Sequence, residues 1–218
     1  MNLFEFWENC GCEYCRAMAR LIPFAPEHFD VLSNWFASEA DVVQWGGPLL
    51  SFPLTVEQLR PMLTEAETMP PTRLCWMTEH DGILVGHAQL GFDWRNGNAL
   101  LSRVAVAPHA RGRGLAGPML RLVLGQALAR PEIMRVELNV YAWNVPAIRS
   151  YKRLGFKIEG VRRSSALVNG ERWDTAIMAL LRQEWRPRSD QAWTIASSAS
   201  HDLLANESTT GISRGRSR

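Results

Sequence analysis

The sequence predicts one mixed α/β domain of the α+β type, a largely antiparallel central sheet of about six to seven strands flanked by helices. Three observations carry this. Apolar or alternating runs of strand length recur between residues 20 and 181. Asp81-Gly82 and Asn169-Gly170 each join two such runs, and dipeptides of this kind favour tight hairpins and hence antiparallel pairs. Helical periodicity appears between other strands, at 27–36, 115–129 and 145–154.

Bulk properties narrow the class. A chain of 218 residues suits one good-sized domain, or one domain with tails. Hydrophobic residues at 46% and charged ones at 21% are ordinary for a globular protein. A net charge of +2 is too small to argue for nucleic acid as the partner. No apolar run approaches the roughly 18–20 residues of a membrane span, and the N-terminus has no signal-peptide pattern, so the expected location is cytoplasmic. Cys12, Cys15 and His28 match the first three ligands of a zinc-finger spacing, but 29–33 reads Phe-Asp-Val-Leu-Ser and supplies no second histidine. No metal is therefore expected, and residues 1–17 read as a dispensable extension before Met18. From about Gln191 the composition turns to Ser, Thr, Asn and Gly. The domain is expected over 18–185, with 186–218 a disordered tail.

The elements follow in order. Arg20–Phe24 reads as a short strand bounded by prolines, and Glu27–Phe36 as an amphipathic helix carrying Phe29, Leu32, Trp35 and Phe36. Gln44-Trp45-Gly46-Gly47-Pro48 reads as a loop, and Thr55 with Gln58 as the capping box of a second helix. Strands are expected at Leu74–Glu79, Ile83–Phe92 and Ala99–Val106, the last entered through Asn96-Gly97. Leu115–Ala129 is a helix with Pro118 in its first turn, where the missing N–H is harmless. Arg135–Tyr141 is a strand, Val145–Leu154 a helix, and Phe156–Arg163 and Trp173–Leu181 close the sheet.

The chemistry concentrates between the fourth strand and the long helix. Gly112-Arg113-Gly114-Leu115-Ala116-Gly117 spells the dinucleotide fingerprint G-x-G-x-x-G. Its context is wrong for that role. Ala107–Arg111 separates strand from glycines, hairpins precede it, and neither Glu132 nor Glu137 stands at a strand's end where a ribose-binding acid belongs. No Lys-Ser/Thr follows, which excludes a Walker loop. Arg111-x-x-Gly114-x-Ala116 fits another cradle. Gly114 and the small Ala116 let the chain turn sharply into a helix, so successive N–H groups and the helix dipole converge on an anion. Arg111 and Arg113 add charge suited to a further phosphate, and a pyrophosphate with an extra phosphate is what coenzyme A presents.

This cradle resembles the R/Q-x-x-G-x-G/A loop of the GNAT acetyltransferases. The stretch Glu137–Phe156, with Asn144-x-x-Ala147 and Tyr151-x-x-x-Gly155-Phe156, is similar to that superfamily's second signature. Glu159–Arg163, Asn169–Asp174 and Met178-Ala179 resemble its RimJ/RimL-like bacterial branch. The resemblance spans about residues 19–185 and implies an acetyl-CoA-dependent N-acetyltransferase. The acceptor it implies is a primary amine of a small molecule (amino acid, polyamine, antibiotic) or of a peptide N-terminus, and a homodimer is common among similar proteins. A catalytically weak acyl-CoA-binding module is the alternative.

Roles carried by the resemblance fall on particular positions. Val104 and Val106 match strand positions whose backbone holds the pantetheine arm, and Arg111, Gly112, Arg113, Gly114, Leu115, Ala116 and Gly117 form the pyrophosphate loop. Asn144 and Ala147 match cofactor contacts, although an Asn before Val-Pro-Ala is equally a helix cap. Tyr151 matches the general acid that reprotonates the thiolate, and its apolar neighbours also suit a core residue. The strand position that carries a glutamate base in some members is Asn139 here, which leaves Glu137, two residues earlier on the same face, as the candidate base. His87, Glu79 and Asp93 are further titratable candidates, and a water chain can replace a dedicated base. Trp45, Trp94 and His87 are candidates for the acceptor pocket.

Overall fold

The computed structural model describes residues 19–186. The proposed extension, its cysteines and the proposed tail beyond Arg186 therefore lie outside the described residues. Strand β1 (Arg20–Pro23) leads through a 3-10 turn into the helices α1 (Phe29–Ser33), α2 (Glu39–Gly46), α3 (Val56–Leu59) and α4 (Pro61–Thr64). Strands β2 (Arg73–His80), β3 (Ile83–Asp93) and β4 (Asn98–Val106) follow, then α5 (Ala116–Leu128), β5 (Arg135–Tyr141), α6 (Val145–Arg153), β6 (Lys157–Val168) and β7 (Glu171–Leu181). The seven strands make one sheet in the order β1-β2-β3-β4-β5-β7-β6. Every neighbouring pair is antiparallel except β4 and β5, joined by the crossover through α5.

Alternation along the strands sends side chains to two separate cores. On one face Leu90, Leu101, Val136, Leu138 and Met178 pack against Leu120, Val123 and Leu124 of α5 and Tyr151 of α6. On the other, Cys75, Met77 and Val85 pack under Phe29, Leu32, Trp45, Leu59 and Met62 of the N-terminal helices. Two of the three hairpin turns place two residues at positive φ, Asp81 (54°) with Gly82 (74°) and Asn169 (48°) with Gly170 (84°), the geometry those dipeptides favour, while the β3–β4 turn has Gly97 alone at 66°.

Three local readings are corrected. Gln44, Trp45 and Gly46 close a helix rather than forming a loop, because Ser38 caps it, its Oγ accepting from the Asp41 N–H at 3.2 Å, while Gly47 ends it at φ 84°. The helix expected over 27–36 is a 3-10 turn followed by the five residues of α1, although Phe29, Leu32, Trp35 and Phe36 are all buried as its periodicity required. Thr55 precedes α3 without a side-chain capping bond; Gln58 instead accepts from the Ser51 N–H at 2.9 Å and donates to the carbonyl of Pro53. Among the described residues, no helix is long and apolar enough to cross a membrane.

Candidate active site in the split between two strands

Strand β4 pairs with β5 only over Asn98–Leu101 against Arg135–Leu138. Beyond that point the two strands part. The cause lies on the other side of β4, where Ala105 pairs with His87 but Ser102 pairs with Gln89, so that Arg103 and Val104 together oppose Ala88. This is a β-bulge, with Arg103 at φ 50°, and a bulge bends its strand away from its neighbour. Ser102–Val106 and Asn139–Tyr141 consequently line a cleft of about 840 Å³. Backbone groups of β4 in this stretch have no β5 partners, and Ser102 Oγ is buried without a hydrogen bond among the described residues.

One wall belongs to the two helices that follow these strands: Arg111, Ala116 and Leu120 from the loop and α5, and Asn144, Ala147 and Tyr151 at and within α6. The loop enters α5 through Gly112 (φ 75°) and Gly114 (φ 77°), conformations that L side chains rarely adopt. A Cβ added at Gly112, Gly114 or Gly117 would meet nothing within 4 Å, so space lies open beside each. Helix α5 starts with no side-chain cap and no acid in its first turn, which leaves its N–H groups and positive dipole end for an anion. Arg111 is steadied by Nε donating to the Val106 carbonyl at 3.2 Å. These features fit the diphosphate and pantetheine arm of coenzyme A.

Asn144 caps α6, its Oδ1 accepting from the Ala147 N–H at 3.2 Å, and also lines the cleft. Tyr151 is 8% exposed, packs edge-on against Phe156 at 5.8 Å, and faces the cleft with no hydrogen-bond partner for its hydroxyl among the described residues. Burial pushes its pKa above the ordinary phenol value, so it stays protonated.

The opposite wall holds Phe36, Trp45, Arg73, Arg103 and Arg162. The Trp45 indole N–H donates to the Arg103 carbonyl at 2.7 Å, which pins α2 to the bulge. Asn139 accepts from Arg162 at 2.8 Å through its Oδ1.

Neither Glu137 nor His87 is brought to this cleft. Glu137 sits where β4 and β5 are still paired, opposite Leu100, and its carboxylate is bound to Arg135 Nε at 3.0 Å. His87 is fully buried on the N-terminal-helix face, with its ring 5.0 Å from Phe24 and 5.6 Å from Trp45. Glu79 pairs with Arg20, Asp93 holds the Asn96 turn, and the Trp94 indole donates to the Pro71 carbonyl. The three arginines of the second wall went unread because they come from three separate strands.

Burial lowers the pKa of His87 to about 3. The unfolded chain binds that proton below about pH 6.5 while the folded chain refuses it, so stability is lost as the pH is lowered through that window, by up to about 1.4 kcal/mol per pH unit. Burial lowers His28 as well and adds to the trend. Urea unfolding at pH 7 and pH 5 is expected to show this loss in the wild type and a shallower one in His87→Gln; equal slopes would contradict the assignment.

A sheet whose one parallel pair splays beside the uncapped start of a helix offers an extended cleft with a place for an anion at one end. Residues 40–156, just over half the chain, match the acetyltransferase (GNAT) family, and the chain belongs to that family. It is 34% identical over 101 residues to the L-amino acid N-acetyltransferase AaaT of Escherichia coli, a match covering 45% of this chain and 62% of that protein. It is 32% identical over 87 residues to a probable spermine N(1)-acetyltransferase of Bacillus subtilis, covering 37% of this chain and 57% of that one. The chain thus matches about three fifths of the length of these relatives. Its fold is similar to that of spermidine N-acetyltransferase from Vibrio cholerae, crystallised with CoA and spermine, at a TM-score of 0.66 and 18% identity over 77% of this chain and 97% of that one.

Proposed function

We propose that this protein transfers the acetyl group of acetyl-CoA directly to a primary amine, of a small molecule or of a peptide N-terminus, without a metal. The observation that carries the proposal is the split between β4 and β5, open to the uncapped start of α5 at one end and to both faces of the sheet in the middle. Bound acetyl-CoA supplies an activated acyl thioester. Residues 111–117 hold its phosphates, the β4 edge around Val104 and Val106, which has no β5 partner, aligns its arm, and a β4 N–H polarises the carbonyl. Asn144 and Ala147 border the same channel, Tyr151 gives a proton to the departing sulfur, and Trp45 walls the acceptor side.

Among the described residues the carboxylate on the cleft wall is that of Asp41, and it accepts from the Ala37 N–H and the Ser38 hydroxyl of its own helix cap. The amine's proton therefore leaves to water rather than to Glu137 or His87. The expected consequence is that kcat/KM rises with pH up to the acceptor's own pKa, about 8 for an α-amine and about 10.4 for a lysine-like amine. A profile that bends at a carboxylate or imidazole pKa for every acceptor would contradict it.

The same proposal takes 18–185 as the domain, and deletion of 1–17 and 191–218 is expected to leave the melting temperature within about 3 °C, read by calorimetry; a large loss would overturn the boundaries. The RimJ/RimL-like placement is supported by the Asn169-Gly170 hairpin motif, and a bacterial, cytoplasmic setting by the organisms of the named relatives and by the cofactor. A homodimer is proposed on the free edge of β6, checked by light scattering. Free-thiol release from acetyl-CoA over a panel of amines tests the activity. Binding without release would leave an acyl-CoA-binding module.

A further inference from the structure

The acceptor wall is cationic, and its arginines differ in what they already hold. Arg73 is occupied, ion-paired to Glu65 and donating to Gln89 Oε1 at 3.2 Å. Arg103 holds no acid: its guanidinium lies over the Trp45 ring, 5.8 Å from its centre, and has no hydrogen bond or ion pair among the described residues. It is half-buried, and it projects from the bulge that opens the cleft. Arg162, on the far side of the split, makes a single bond to the neutral Asn139 amide and has no acid partner among the described residues. The wall's carboxylate, Asp41, is engaged by its helix cap.

A guanidinium that has lost part of its hydration and gained no counter-charge is a site for an anion, and its planar fork matches a carboxylate. A polyamine carries two or more positive charges, and this wall offers it guanidinium groups and no free carboxylate. Building on the transferase reading, we propose that the acceptor is an amine that also bears a carboxylate, held by Arg103 and Arg162 while its amine faces the thioester, and that polyamines are rejected. Trp45 and Phe36, packed at a tilt with centroids 4.8 Å apart, give such a molecule an apolar surface beside the anion site. The carboxylate can belong to a free amino acid or to the end of a short peptide.

The test compares free amino acids, their methyl esters, dipeptides with free and amidated C-termini, and spermidine, by thiol release and by calorimetric binding to the CoA-loaded protein. Free acids are expected to exceed their esters and spermidine by at least about tenfold in kcat/KM. Dipeptides with a free carboxylate exceeding the free acids would place the anion at a peptide end; the reverse order would place it on an amino acid. Arg103→Met and Arg162→Met are each expected to collapse the acid-to-ester ratio toward one, and the second, on an exposed strand position, keeps the test open if the first does not fold. Equal use of acids and esters, preference for spermidine, or variants that leave the ratio intact would overturn the proposal. Should no amine release thiol, the transferase reading fails by itself, and tighter binding of acids than of esters then supports the anion site while equal or absent binding overturns it.

Discussion

Gly114→Asp is expected to weaken acetyl-CoA binding at least about a hundredfold by calorimetry while the protein still folds. Gly114 stands at φ 77° in an exposed loop, and an added Cβ meets nothing within 4 Å. The effect is therefore not a clash. A left-handed conformation costs an L residue roughly 1–2 kcal/mol, less for Asp than for most, and relaxing it would turn the N–H groups of the loop away from their common focus. The larger part is charge. A carboxylate about 4 Å from a phosphate is repelled by about 1 kcal/mol in water and about 4 kcal/mol at the effective dielectric of a protein surface. Together these reach the roughly 2.7 kcal/mol of a hundredfold loss. Gly114→Ala carries the backbone strain without the charge and is expected to lose less. Wild-type affinity in the Asp variant would remove the phosphate site from this loop.

Tyr151→Phe is expected to lower kcat by about a hundredfold and to change acetyl-CoA affinity by less than about threefold, since general acids contribute roughly 10²–10⁴. The substitution keeps the ring that packs on Phe156 and removes a hydroxyl with no other partner among the described residues, so folding stability should hardly move. Because burial raises the phenol's pKa, the wild type should show no loss of kcat from tyrosine ionisation as pH rises to about 10. Unchanged turnover in the variant would make Tyr151 a core residue only.

What could be read from the sequence was local. Arg135–Tyr141 is the strand expected to the residue, and both hairpins turn at the dipeptides that announced them, because turn chemistry and alternation act over a few neighbours. The phosphate loop is contiguous, so its glycines and arginines declared themselves together. Helix α2 was legible in Ser38-x-x-Asp41 but hidden by Gly46-Gly47-Pro48, which terminates the helix rather than replacing it. The acceptor wall was not legible. Arg73, Arg103 and Arg162 line one cleft because β4 bulges opposite Ala88 and then leaves β5, and no spacing along the chain encodes that register. The same register explains Glu137: counting by twos placed it on the correct face, but one pair deeper than the point where the strands part. His87 was assigned to the pocket as a polar residue on β3, yet alternation directs it beneath Phe24 and Trp45, where it accepts from Gln89 and is covered.

The most direct test of the central claim is calorimetric titration of the full chain with acetyl-CoA, with CoA, NAD and NADP as competitors. Saturable binding near one equivalent per chain, displaced by CoA and indifferent to both nicotinamide dinucleotides, is the predicted result. No binding of acetyl-CoA, or its displacement by NAD, would contradict the account of residues 104–117 and of the cleft they open into.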